Sequence, residues 1–223
     1  VPRPGKTFAL AINYYGHAKE MGLEIPKPMV PVIFLKPSTA IIGPGDPIVA
    51  PRISKKIDCE VELAVVIGRK GNNISKENAY DYVAGYTILV DVTYRDLRSY
   101  PEVDYYRRYG PNWIRLKGLD NSAPTGPCIT SKDDIPDPHH LQIGLKVNGE
   151  IRQNGSTSDM ANKIPETIEY VSSGLTLEPG DLISTGTCSG VGGPLSRRCL
   201  GPGDLVEAEI EKIGVLKNPV IVR

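Results

Sequence analysis

The chain has 223 residues, 40% of them apolar, which suffices for one domain with a substantial core or one domain with a small appendage. Lys plus Arg and Asp plus Glu each number 26, so the formal net charge is zero and nothing in the charge favours a nucleic acid or an anionic membrane as partner. No apolar run approaches the roughly 20 residues of a membrane helix, and no secretory leader opens the sequence. Cys59, Cys128, Cys188 and Cys199 are scattered without a CxxC pair, which fits reduced thiols, small buried hydrophobes and a cytoplasmic setting, or a mitochondrial one should a segment precede Val1.

Gly and Pro punctuate the chain in clusters such as Gly43-Pro44-Gly45-Asp46, Glu178-Pro179-Gly180-Asp181 and Gly201-Pro202-Gly203-Asp204, each beside a short aliphatic run. That spacing predicts turns between many short strands. In chain order the strands are expected at Phe8–Ile12, Ala40–Ile42, Glu60–Ile67, Tyr86–Val92, Gln142–Val147, Leu182–Thr185, Leu205–Ile210 and Val220–Val222. Helical signals are fewer: a short turn at Tyr14–Met21, a helix through Tyr82 capped by Ser75, and Ile164–Ser173 with Pro165 in its first turn. The expected fold is mostly β with short helices (α+β), a mixed β-roll or barrel-like sheet in a single domain over 1–223.

The first chemical signal is His17 and Glu20, three apart on a helical turn and so on one face. A carboxylate against an imidazole orients the ring and raises its basicity, although such pairs on helix surfaces are common and mostly idle. Next comes Glu60-Val61-Glu62 on a strand, where alternation points both carboxylates one way and Val61, Leu63 and Val65 the other. Alone, the pair fits a solvent-facing edge equally well. Asp91 sharpens the picture: it interrupts the apolar run Tyr86–Val92, and a buried carboxylate needs a cationic partner or a metal. Arg95 or Arg98 could be that partner; three clustered oxygen donors would instead suit Mg²⁺, Mn²⁺ or Ca²⁺.

The stretch from Tyr94 to Trp113 is dense in Tyr and Arg. With a neutral chain it reads as a helix and loop over a site or at a subunit contact, not as an RNA-stacking surface. Lys117, between apolar residues and Gly118, could stabilise a developing oxyanion or snorkel to the surface. His139 and His140 sit in a loop and receive no role. Thr185-Gly186-Thr187 and Gly190-Val191-Gly192-Gly193 permit close backbone approach, but lack the spacing of a phosphate-binding fingerprint.

Taken in order, these motifs resemble the fumarylacetoacetate hydrolase family, and specifically its short acylpyruvase-like members. The resemblance runs through Asn13 to Glu20, Leu35-Lys36-Pro37-Ser38, Gly43 to Ile48, Glu60 to Gly68, Gly85 to Asp91, Arg95-Asp96-Leu97, Lys117-Gly118, Val147 to Glu150, Thr185-Gly186-Thr187 and Gly201 to Asp204. It implies the family's mixed β-roll, a homodimer, and Mg²⁺ or Mn²⁺ on Glu60, Glu62 and Asp91. It further implies that His17 and Glu20 activate water, that Lys117 stabilises charge near the metal, and that Arg95, Arg98, Gln153 and Thr187 contact a small 2-oxo acid substrate. Cys59, Arg98, Cys188 and Leu119 depart from the family's usual residues at positions expected to line the pocket. The implied activity is hydrolytic C–C cleavage of an acylpyruvate. The alternatives are decarboxylation of an oxaloacetate-type diacid, isomerisation or tautomerisation of an unsaturated keto acid, service in a specialised biosynthetic pathway, and a metal-stabilised pseudo-enzyme.

Overall fold

The structure is a computed structural model that describes residues 3–27, 29–97, 110–191 and 199–222. Two sheets pack around one large apolar cluster. The first has seven strands: β1 (Thr7–Ala11), β2 (Val32–Lys36), β3 (Ile41–Ile42), β5 (Ile57–Ile67), β6 (Val83–Tyr94), β7 (Ala123–Ser131) and β10 (Leu182–Thr187), in spatial order β2-β1-β10-β5-β6-β7-β3. The second has five: β4 (Ile48–Ala50), β8 (Gln142–Val147), β9 (Glu150–Ser156), β11 (Leu205–Ile210) and β12 (Gly214–Val222), in order β4-β12-β11-β8-β9. The helices are short: α1 (Tyr15–Glu20), α2 (Trp113–Lys117) and α3 (Ile164–Ser172). The segment after Ser75 is a 3₁₀ turn over Lys76–Tyr82, and Ser75 makes no side-chain cap to it. No helix among the described residues is long and apolar enough to cross a membrane.

The two long strands at the centre, β5 and β6, are buried on both faces and pair antiparallel from Ile57↔Tyr94 to Ile67↔Val83. Val61, Leu63 and Val65 point into the main core, as strand alternation predicts. The opposite face of β5 carries Glu60 and Glu62, then Ala64 and Val66, which pack with Leu89, Ala123 and Leu182 in a smaller apolar cluster. One face of the same strand is thus polar at one end and dry at the other.

The turn after β1 sets the entrance to that polar end. Asn13 is buried, and its side chain is fully engaged: Nδ2 donates to the carbonyls of Asn162 (3.1 Å) and Thr185 (2.8 Å), and Oδ1 accepts the Asn162 N–H (2.8 Å). The preceding Ile12 is forced to φ 55°, a left-handed conformation that a β-branched side chain rarely tolerates. Replacing Asn13 with alanine strips three buried backbone groups of partners. At roughly 1–3 kcal/mol for each unsatisfied group, we expect Asn13→Ala to lower unfolding free energy by about 3 kcal/mol in urea titrations, and a change within experimental error would contradict the role given to this side chain.

Candidate metal centre and active site

Strand register brings the acidic residues together. Glu60 on β5 lies directly opposite Asp91 on β6, and Glu62 lies opposite Thr187 on β10. Neighbouring strands are about 5 Å apart, so oxygens of Glu60, Glu62 and Asp91 fall within 4.8 Å of one another. All three residues are buried. Like charges so close and so dry demand cations, and the structure supplies three.

Lys117, at the C-terminal end of α2, donates from Nζ to Glu60 Oε2 and Asp91 Oδ2, both at 2.6 Å. Lys36, at the end of β2, donates to Asp91 Oδ1 at 2.6 Å and also to the Lys117 carbonyl. Arg95 spans Glu60 Oε1 at 2.5 Å and Asp58 Oδ2 at 2.6 Å. Helix α2 is pinned to β2 by Trp113 stacked on Phe34, with ring centroids 4.8 Å apart and planes inclined by 3°. Glu62 takes no ammonium: Ser184 Oγ donates to its Oε2 at 2.5 Å and the Gly186 N–H at 3.1 Å. Gly186 reaches it with φ 86°, where a Cβ would press on Asn13 and the Leu10 carbonyl.

These surroundings split the two glutamates. Burial alone would push Glu60 up, but the Lys117 ammonium and the Arg95 guanidinium overcome it and hold the carboxyl at about 2. Glu62, buried and beside the charge of Asp91, is pushed up to about 8 in spite of its Ser184 hydrogen bond. Burial lowers Lys36, with Asp91 offsetting part of that fall. For Lys117 the same penalty is outweighed by Asp91 and Glu60, which raise it. Asp58, Glu60 and Asp91 thus share Lys36, Arg95 and Lys117, and Glu62 is the one acid of the group that none of these three side chains bonds.

Part of the cluster lines a cleft of about 280 Å³, whose polar lining residues are Glu60, Glu62, Arg95, Lys117, Thr187 and His17. His17 lies on α1, with Nδ1 3.7 Å from Glu20 Oε2, within reach but beyond hydrogen-bond distance. Its Nδ1 is buried and has no hydrogen-bond partner among the described residues, and the Glu20 carboxylate accepts the Gly190 N–H at 3.1 Å. Thr187 faces the cleft while its hydroxyl donates to the Val61 carbonyl at 2.7 Å. Gln153, expected to touch substrate, is placed behind Thr187. Its Oε1 accepts the Val61 N–H at 2.8 Å, and its Nε2 donates to Thr187 Oγ1 at 2.8 Å and the Cys188 carbonyl at 3.0 Å. Its amide is thereby spent on joining the second sheet to the first. Arg98 lies outside the described residues.

Two residues at the site escaped the sequence reading. Lys36 closes the apolar run Val32–Leu35, where a lysine ordinarily reaches out to solvent, and here it is buried against Asp91. Ser184 sits in β10 with no sequence cue to its partner.

The chain belongs to the fumarylacetoacetate hydrolase family: the model of the family's C-terminal domain matches residues 6–221. It is 54% identical over 219 residues to an uncharacterized protein of Pyrococcus abyssi, spanning 98% of this chain and 91% of that one. It is 44% identical over 223 residues to an oxaloacetate tautomerase of Bacillus subtilis, spanning 99% of this chain and 71% of that one. Among solved structures, fumarylpyruvate hydrolase from Pseudomonas aeruginosa, crystallised with Mn²⁺ and pyruvate, superposes with a TM-score of 0.85 at 32% identity, covering 98% of this chain and 90% of that one.

The donor set fits a hard divalent cation: three carboxylates, all oxygen, all buried and close enough to share one ion. A proton on Glu62 competes with that ion. Affinity for Mg²⁺ or Mn²⁺ should therefore climb with pH, by up to about tenfold per unit for one displaced proton, and level off above about pH 8. Calorimetry in buffers of different ionisation enthalpy should record the released proton at pH 7. In Glu62→Gln both the release and the slope should vanish, and a slope that persists in this variant would assign the proton elsewhere.

Proposed function

We propose that the protein is a Mg²⁺- or Mn²⁺-dependent enzyme that interconverts the enol and keto forms of a 2-oxo acid. The observation that carries this is the buried trio Glu60, Glu62 and Asp91, of which Glu60 and Glu62 line a cleft that His17, Arg95 and Lys117 also line. Glu60, Glu62 and Asp91 would hold the metal, which when bound supplies Lewis-acid stabilisation of enolate charge on the 2-oxo oxygen.

The charge balance favours an anionic substrate. Counted at formal charge among the described residues, the four acids Asp58, Glu60, Glu62 and Asp91 outnumber Lys36, Arg95 and Lys117 by one, and a divalent ion would leave one positive charge in excess. A single substrate carboxylate restores neutrality. Arg95 and Lys117 present fixed positive charge at the same end of the cleft and would orient that carboxylate and the enolate. Glu60 and Asp91 hold the Lys117 ammonium beside the proposed metal ligands. His17, which also lines the cleft, would deliver the proton to C3 in ketonisation and remove it in the reverse direction. Glu20 would keep the imidazole oriented, closing the 3.7 Å gap once substrate fills the cleft. The hydroxyl of Thr187, fixed by Val61 and Gln153, would border the reacting carbons.

Tautomerisation needs one proton gained at C3 and one lost from the 2-hydroxyl to solvent, and no attacking water. The identity to an oxaloacetate tautomerase over nearly the whole chain supports placing it first. Hydrolytic C–C cleavage of an acylpyruvate is the second reading, supported by the likeness to fumarylpyruvate hydrolase. There His17 would deprotonate water instead of carbon.

Ultraviolet assays with enol-oxaloacetate and enol-phenylpyruvate separate the two. The purified protein with Mg²⁺ or Mn²⁺ should accelerate enol loss without cleaving acetylpyruvate, and chelation should abolish the effect reversibly. His17→Ala should slow the reaction roughly 10²–10⁴-fold, the usual worth of a positioned acid–base group. Acetylpyruvate breakdown with no effect on enol decay would instead select hydrolysis, and inactivity in both assays would dismiss both readings.

A further inference from the structure

The two acids that face each other across β5 and β6 divide their oxygens in the same way. Glu60 gives Oε1 to Arg95 at 2.5 Å, and Asp91 gives Oδ1 to Lys36 at 2.6 Å. The remaining oxygens, Glu60 Oε2 and Asp91 Oδ2, both accept the Lys117 ammonium at 2.6 Å. One cation thus bridges the two carboxylates through the oxygens that Arg95 and Lys36 leave over. A divalent ion shared by Glu60, Glu62 and Asp91 would draw on those same two oxygens. Each oxygen has a further lone pair, so the conflict is one of charge and not of valence. An ammonium and a divalent ion on one pair of buried oxygens repel each other with little solvent screening.

The two lysines differ in their freedom to yield. The Lys36 side chain is fully enclosed, does not line the cleft, and is held a second time by the Lys117 carbonyl. That contact also fixes the backbone of Lys117 and leaves its ammonium at the tip of a flexible four-carbon stem. The Lys117 side chain lines the cleft, so the tip has somewhere to go.

We propose that the Lys117 ammonium stands in for the metal and is expelled into the cleft when a divalent ion binds, while Lys36 and Arg95 keep their oxygens. Lys117 then turns to an anionic ligand only in the loaded protein, which orders binding: divalent ion first, 2-oxo acid second. This rests on the metal reading above and adds a control of the same site.

The experiment is reductive methylation of the wild-type chain with formaldehyde and a borane, quantified at each lysine by peptide mass spectrometry. Mg²⁺ binding is followed separately by calorimetry. Without divalent ion, Lys36 and Lys117 should both be protected. Saturating Mg²⁺ should raise methylation of Lys117 several-fold and leave Lys36 protected. In Lys117→Met the competing ammonium is removed, and Mg²⁺ affinity should rise by roughly 5–150-fold, the usual span of coupling between two ligands. Lys36→Met removes an equal charge from Asp91 but leaves the Lys117 bridge in place, and should tighten Mg²⁺ far less. Equal tightening in both variants would reduce the effect to charge alone and overturn the exchange. Should Lys36→Met fail to fold, methylation of the wild type decides by itself. Binding of Mg²⁺ with Lys117 still protected would overturn the exchange and spare the metal reading. Absence of both Mg²⁺ and Mn²⁺ binding would bring down the two together.

Discussion

Everything at this site depends on how three carboxylates are kept within a few ångströms of each other inside a folded protein. The antiparallel register of β5 and β6 puts Glu60 against Asp91, and alternation along β5 adds Glu62 on the same face. Left alone, such a cluster would drive the strands apart. Two buried lysines and an arginine, reaching in from β2, α2 and the end of β6, make the arrangement tenable. The cations are therefore structural first, and under the proposed function the groups that stabilise the acids would also orient an anionic ligand.

The same economy explains why the supporting elements sit where they do. Helix α2 is only five residues long and could not persist on its own. It is held by the Trp113–Phe34 stack and by the Lys36 contact to its last carbonyl, so Lys117 is fixed at its root. The second sheet contributes through one side chain, Gln153, which ties β9 to β5 and β10 and fixes the hydroxyl of Thr187. Changes far from the floor of the cleft can thus alter it by shifting one of these anchors.

Much of this was legible in the sequence, for reasons that differ from element to element. Gln142–Val147 and Leu205–Ile210 were read at their observed bounds, since alternation and flanking turns agree there. The carboxylate trio was legible because an acid within an apolar strand is costly and so informative. Strands β2, β4, β7 and β9 were not. Strand β7 carries Pro124 and Pro127, with a cis bond at Gly126–Pro127, and proline argues against a strand. The polar run of β9 lacks the apolar alternation that a propensity reading needs. The Ser75 signal foretold a helix and met a 3₁₀ turn. Among site residues, Lys36 and Ser184 act through contacts to strands far away in sequence, and pairings of that kind are set by topology that local pattern does not encode. The saturation of Gln153 was hidden for the same reason.

The central claim is that one divalent ion is bound by Glu60, Glu62 and Asp91. Anomalous diffraction at the manganese edge, from crystals grown with Mn²⁺, tests it most directly. The account predicts a single strong peak per chain with one oxygen of each of the three carboxylates at roughly 2.0–2.3 Å, the range of hard-cation–oxygen bonds. A peak bound by other residues, or no peak, with Glu60 and Asp91 still bridged by Lys117 at saturating Mn²⁺, would contradict it.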